Sequence, residues 1–196
     1  DPHAYPLGSV GRMFDVADLR GVRGDLILQI VDYREGQVLM TVTSRPESET
    51  VFFRQDGTAV AVLGMTSVAD ITAGLGEVVG DATEAYAVGF NATRGYWADL
   101  PDQEEGVVLN RARVGAVPVV ETRRTEAPAL ATFDPTAIQP AALAKAVALF
   151  QDTPDQQCDV VIDMSLQRSA PVARVDCQGA VGYADLEGRD MTALVG

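Results

Sequence analysis

Side chains that enzymes use for proton transfer or nucleophilic attack are scarce in this chain. His3 is the only histidine, and it lies in an opening stretch with two prolines and a glycine. Catalysis by Ser-His-Asp or Cys-His groups therefore lacks its base, and zinc sites lack their usual set of histidine and cysteine ligands. No phosphate-binding glycine motif precedes a predicted helix. We expect a non-catalytic protein with no metal site and no cofactor.

Carboxylates are the remaining reactive groups, and four of them crowd one predicted loop, namely Asp99, Asp102, Glu104 and Glu105. Oxygen ligands suit calcium, but the spacing does not match an EF-hand loop. We therefore expect a solvated acidic loop. A carboxylate-dependent hydrolase stays open as an alternative, and it requires two acids that face each other across a cleft.

The only two cysteines, Cys158 and Cys177, lie at the two ends of one predicted hairpin. Apolar residues alternate along both predicted strands, and the cysteines fall on the apolar faces. Placing Cys158 opposite Cys177 also pairs Val160 with Val175 and Ile162 with Ala173. Because the two registers agree, we predict a structural disulfide, with two buried free thiols as the alternative. A disulfide in turn favours an oxidising compartment.

The candidate ligand- or partner-binding residues are an aromatic cluster and two arginines on one face of a predicted strand: Tyr86, Phe90, Tyr96, Trp97, Arg111 and Arg113. The aromatic residues either pack in the core or line a binding surface. The arginines, with Arg123 and Arg124 on the next segment, either bind an anion or pair with nearby acids.

Composition limits the compartment and the partners. Hydrophobic residues make up 47% of the 196 residues, which is typical of a globular protein. Twenty-eight acidic against 15 basic residues give a net charge of -13, so nucleic acid and anionic membrane surfaces are poor partners. No apolar stretch is long enough to span a membrane. The preference for arginine over lysine indicates a GC-rich bacterial genome, and residues 1–10 are typical of a mobile tether.

The predicted elements define an α+β protein with antiparallel strands in one curved sheet or two smaller sheets, and two main helices packed on one face. We predict helices over 66–79 and 139–151, with Asp56-Gly57 as a hairpin turn. Beyond the tether, we expect a β-rich module with one helix over 11–125 and a helix-plus-hairpin module over 126–196, unless the two form one continuous domain. A helix followed by strands occurs at 66–98 and again at 139–186.

In pattern only, this arrangement resembles the helix-on-curved-sheet modules of cystatin-like and PepSY-like domains, and the half-barrels of bacterial lipoprotein carriers. No motif assigns the chain to any of these groups. We expect a periplasmic, cell-surface or secreted domain of a bacterial envelope protein, tethered upstream, that binds a protein partner or a ligand. The main alternative is a carrier that holds a small hydrophobic ligand or lipid between the sheet and the two helices.

Overall fold

The computed structural model describes residues 2–34, 37–45, 49–125 and 129–195. Its α-helices and antiparallel sheets of three and seven strands confirm the predicted α+β class. The chain forms two compact units, the first from Asp1–Val62 with Gly115–Pro118 and the second from Leu63–Val114 with Val119–Gly196. No helix within the described ranges is long and apolar enough to cross a membrane.

The first unit has one helix and a three-stranded antiparallel sheet in the order β1-β2-β3. Its elements are α1 (Val10–Leu19), β1 (Asp25–Arg34), β2 (Gln37–Arg45) and β3 (Thr50–Phe53). Met13 and Ala17, four residues apart on one face of α1, join Met40, Val42 and Phe53 in a buried cluster.

In this unit some expectations from the sequence differ from the structure, and one falls on residues that the structure does not describe. Helix α1 was not predicted, and residues 2–4 and 7–9 of the expected tether form short 3-10 turns. The Asp56-Gly57 turn forms, but the expected strand after it is reduced to one bridge between Phe53 and Ala59. The sequence REGQ at 34–37 also predicts a short hairpin loop between β1 and β2, and its residues 35 and 36 lie outside the described residues.

The second unit packs two helices on one face of a seven-stranded sheet, in the order β10-β9-β8-β4-β5-β6-β7. The helices are α2 (Val68–Val79) and α3 (Pro140–Phe150). The strands are β4 (Ala87–Asn91), β5 (Gly95–Pro101), β6 (Val108–Arg113), β7 (Val120–Arg124), β8 (Asp159–Asp163), β9 (Val172–Cys177) and β10 (Ala180–Ala184).

The helix-then-strands pattern of the sequence corresponds to two halves of this sheet. Strand β4 follows α2 and strand β8 follows α3, and the two strands pair antiparallel at the centre, with Gly89 opposite Val161. Strands from both predicted modules, 11–125 and 126–196, therefore belong to one sheet. Edge strand β7 has no counterpart in the second half.

The predicted cysteine hairpin is confirmed with its register. Strands β8 and β9 pair Val160 with Val175 and Ile162 with Ala173, and Cys158 is bonded to Cys177. Cys177 is fully buried and Cys158 is 8% exposed, so the disulfide belongs to the main core of the second unit. The apolar alternation and the cross-strand bond specify the same pairing, because a one-residue slip would expose every core side chain of the strand.

Helix α2 lies close to the sheet because a glycine faces it. The Ser67 hydroxyl caps the helix by accepting a hydrogen bond from the Asp70 backbone N–H at 3.1 Å, as is typical of a serine just before a helix. A Cβ atom at Gly74 would lie 2.4 Å from the Tyr96 ring of β5. Gly74 therefore permits the contact between helix and sheet that buries Tyr96.

Candidate functional site

An open cleft of about 770 Å³ lies in the second unit. It lies where the end of α2 and the following loop face strands β5, β6 and β7. Its floor includes Val79, Leu100 and Leu109, and its walls carry four carboxylates and two guanidinium groups: Asp81, Glu84, Asp102, Glu121, Arg111 and Arg123. The size falls within the range of small-ligand sites.

Arg111 is fixed at the inner wall of the cleft by the end of helix α2. Its Nη1 donates a hydrogen bond to the Val79 carbonyl at 3.2 Å, and its Nε lies 3.2 Å from Glu121 Oε1 without a well-directed hydrogen bond. A cation is favourable here because helix carbonyls at the C-terminus carry partial negative charge. Gly80 has a φ of +58°, and a Cβ there would lie 2.5 Å from Arg111 Nη1, so a glycine leaves room for the guanidinium.

Arg123 and Asp102 form the outer ion pair of the cleft. Arg123 Nε donates to Asp102 Oδ2 at 2.8 Å, and the Glu104 backbone N–H donates to Asp102 Oδ1 at 3.1 Å. The Glu104 hydrogen bond, followed by that of Arg123, lowers the pKa of Asp102. Asp102 is therefore ionised at neutral pH, which is the opposite of what a general acid requires.

Asp81 and Glu84 are exposed acids on the loop between α2 and β4, and neither has a hydrogen-bond or ion-pair partner among the described residues. Arg111 and Arg123 are paired with Glu121 and Asp102, so the cleft keeps an excess of two negative charges. The electrostatic environment of the cleft thus favours a positively charged group.

Of the six candidate residues from the sequence, only Arg111 lines this cleft. Arg113 is 2% exposed, and its Nε lies 2.6 Å from Glu77 Oε2 of α2. Arg124 likewise pairs with Asp99 at 2.7 Å. The arginines therefore show the pairing with nearby acids that was one of the two predicted interpretations.

The aromatic candidates are mostly core residues. The Phe90 and Tyr96 rings are buried, with centroids 5.3 Å apart, and Tyr86 is half-buried just before β4. The Tyr96 hydroxyl donates to the Gly64 carbonyl at 2.5 Å, and burial, followed by the charge of Asp70, raises the pKa of Tyr96 above its usual value.

Trp97 lies on the sheet face opposite the helices and is 4% exposed. Its ring covers Gly89 of β4, where a Cβ atom would lie 2.7 Å from the indole. The Arg94 guanidinium stacks on the same ring, 3.9 Å from the ring centroid. The Trp97 ring therefore occupies the space above Gly89, which has no side chain of its own.

The predicted acidic loop is partly a strand. Asp99 lies in β5 and is 7% exposed, where it accepts hydrogen bonds from Asn110 and Arg124, each at 2.7 Å. Its place on the strand follows from the pairing of β5 with β6, which the sequence alone did not reveal. Among the described residues, no group of three or more metal-ligating side chains is arranged to hold an ion.

Asp159 and Asp176 are opposite each other on β8 and β9, as the predicted register requires. Arg174 donates to Asp176 at 2.7 Å, whereas Asp159 Oδ1 is buried without a hydrogen-bond partner. Both acids line a shallow depression of about 430 Å³.

Core side chains occupy the space between the sheet and the two helices. A cavity of about 200 Å³ lies between α2 and the start of α3, bordered by Leu75, Val79 and Ile138. This volume is below the ~300 Å³ at which small-ligand pockets usually begin. The interpretation as a hydrophobic carrier stays a prediction, and the cavity between α2 and α3 is smaller than a carrier requires.

Comparisons of the chain with protein-family models, curated proteins and solved structures find no match.

Proposed function

We propose that this protein is a non-catalytic binding domain that works outside the cytoplasm of a bacterial cell and binds a positively charged ligand, such as a basic peptide segment, in the cleft of its second unit. The observation that carries this proposal is the cleft itself. Three separate parts of the fold form its walls, and ion pairs hold its two arginines in place. A site with fixed walls binds with a smaller loss of conformational entropy.

The charge and the floor of the cleft support this ligand class. Asp81 and Glu84 supply the unpaired negative charge at the rim. Leu100 and Leu109 provide apolar surface below it, which suits the aliphatic stem of a lysine or arginine side chain. The bound ligand would keep its cationic end near the carboxylates while its methylene groups cover the leucines.

The disulfide between Cys158 and Cys177 supports a location outside the cytoplasm, because such bonds form and persist in oxidising compartments. The second unit is long enough to build its own core, so the disulfide adds to a fold that hydrophobic burial already supports.

Isothermal titration calorimetry with trilysine tests the proposal, with triglutamate as the opposite-charge probe. The protein has a net charge of -13, so some attraction of trilysine is independent of any site. The matched pair of variants is therefore D81N/E84Q, in the loop after α2, and D152N/D155N, in the loop after α3. Each variant loses two exposed negative charges, so the two variants have the same net charge.

We expect trilysine to bind the natural protein and D152N/D155N equally, and D81N/E84Q about three- to tenfold more weakly, because each exposed ionic contact contributes modestly. Triglutamate should not bind. Equal weakening in the two double variants would mean general electrostatic attraction and would contradict a site in the cleft.

A further inference from the structure

In the part of the chain that the structure describes, the two sheets have four edge strands, and three of them are covered, charged or short. Strand β10 is covered by the chain that follows it, since the Met191 N–H donates to the Tyr183 carbonyl at 2.7 Å and the Tyr183 N–H donates to Thr192 Oγ1 at 3.0 Å. Strand β7 carries three charged residues in five, and β3 is only four residues long. These are common ways in which proteins protect sheet edges from further pairing.

Strand β1 is neither covered nor short, and its charged residues, Asp25, Asp32 and Arg34, lie outside its central segment. It is ten residues long, and its segment 26–31, with the sequence LILQIV, contains neither a charge nor a proline. It pairs only with β2, and no described residue forms a backbone hydrogen bond to its outer side. Gln29 is exposed and Ile30 is 41% exposed. A long, apolar edge strand of this kind is a template for addition of another strand.

We propose that the outer edge of β1 pairs antiparallel with β1 of a second copy of this chain, about a two-fold axis at Gln29. In this register Gln29 faces its own equivalent, Leu28 faces Ile30 of the second copy, and Ile27 faces Val31. Five consecutive positions are thus matched, amide to amide and apolar to apolar. Such a self-complementary contact is the form that a two-fold dimer interface takes.

Neighbouring registers match less well. An axis at Leu28 places Gln29 opposite Ile27, and an axis at Ile30 places it opposite Val31. Like any axis that passes through a residue, the axis at Gln29 keeps each face of the sheet continuous, because a residue then pairs only with residues of the same face. Leu26 and Leu28, which pack on the core of the first unit, therefore lie on the same side as Leu28 and Ile30 of the second copy.

The net charge of -13 on each copy opposes this association, so the dimer should become tighter as salt screens the repulsion. This salt dependence is the reverse of that expected for the cationic ligand in the cleft, so the two proposals can be distinguished by ionic strength alone.

Sedimentation equilibrium of the full chain over a range of concentrations tests the dimer, with the variants Q29K, Q29E and T122K. Two lysines or two glutamates facing each other at the axis repel, so each Gln29 variant alone should dissociate at least about fivefold more readily than the natural protein. An equimolar mixture of Q29K and Q29E should restore the dimer. T122K places the same charge on the exposed edge strand β7 and should behave as the natural protein does.

A natural protein that stays monomeric at the highest concentration would overturn the proposal. So would a dimer that Q29K leaves intact, or a mixture of the two charge variants that stays as weak as either alone. Because Gln29 is exposed on a strand, both variants should fold, and their circular dichroism spectra check this before sedimentation.

Discussion

Removal of the single disulfide should reveal how much of the stability of the second unit comes from this bond. The double variant C158A/C177A leaves β8, β9 and their apolar pairs in place and removes the covalent link together with the two sulfur atoms. The bond joins residues 19 positions apart. Closing a loop of about 20 residues in the unfolded chain reduces its conformational entropy enough to stabilise the fold by about 3 kcal/mol.

Urea unfolding followed by tryptophan fluorescence measures this loss, because Trp97 is the only tryptophan and lies in the same sheet as the disulfide. We expect the free energy of unfolding to fall by about 3 kcal/mol and the thermal midpoint to fall by about 6 to 12 °C. The natural protein under reducing conditions should unfold near the double variant, since its two thiols then behave as small buried side chains.

A double variant whose stability lies within about 1 kcal/mol of the oxidised protein would refute this reasoning. Strand pairing and core packing alone would then hold the hairpin, and the bond would add little to them. If the reduced natural protein were much more stable than C158A/C177A, the stability lost in the variant would come from the two missing sulfur atoms and the small cavities they leave.

Two further substitutions test the packing under helix α2. G74A should lower the free energy of unfolding by about 1–3 kcal/mol, because its Cβ would overlap the Tyr96 ring. G76A on the same helix places its Cβ where no atom lies within 4 Å, so it should raise the free energy of unfolding by about 0.5–1 kcal/mol. Thermal unfolding distinguishes the two variants. E77A should cost about 3 kcal/mol by urea unfolding, because it removes the nearest carboxylate from the buried Arg113, and equal stability of E77A and the natural protein would contradict this.

Local sequence patterns predicted the strands and helices whose formation depends mainly on residues close together in the chain. The β8–β9 register followed from two independent signals, the apolar alternation and the cysteine positions. The three- and four-residue spacing of Val68, Ile71, Leu75 and Val78 predicts an apolar stripe on α2, and all but Val68 are buried. Helix α1 escaped prediction because Gly11 and the proline-rich stretch before it weaken the helical pattern.

The candidate site depends on pairings between distant segments, which local patterns do not contain. The cleft combines the loop after α2 with the ends of β5, β6 and β7. Arg111 and Glu121 face each other across the β6–β7 hairpin. At the outer wall, Asp102 in the loop after β5 pairs with Arg123 of β7. The opposite charges of Arg111 and Glu121, on either side of the turn-rich Gly115–Pro118, were the signal that could have revealed the β6–β7 pair.

The most direct test of the central claim is to locate bound trilysine by two-dimensional ¹H–¹⁵N nuclear magnetic resonance of the natural protein. The proposed function predicts that the largest shifts on titration are those of the backbone amides at 79–84, 100, 102, 103 and 121–123, with smaller changes elsewhere. Small shifts spread over all acidic surface residues, with no concentration at the cleft, would contradict a binding site there.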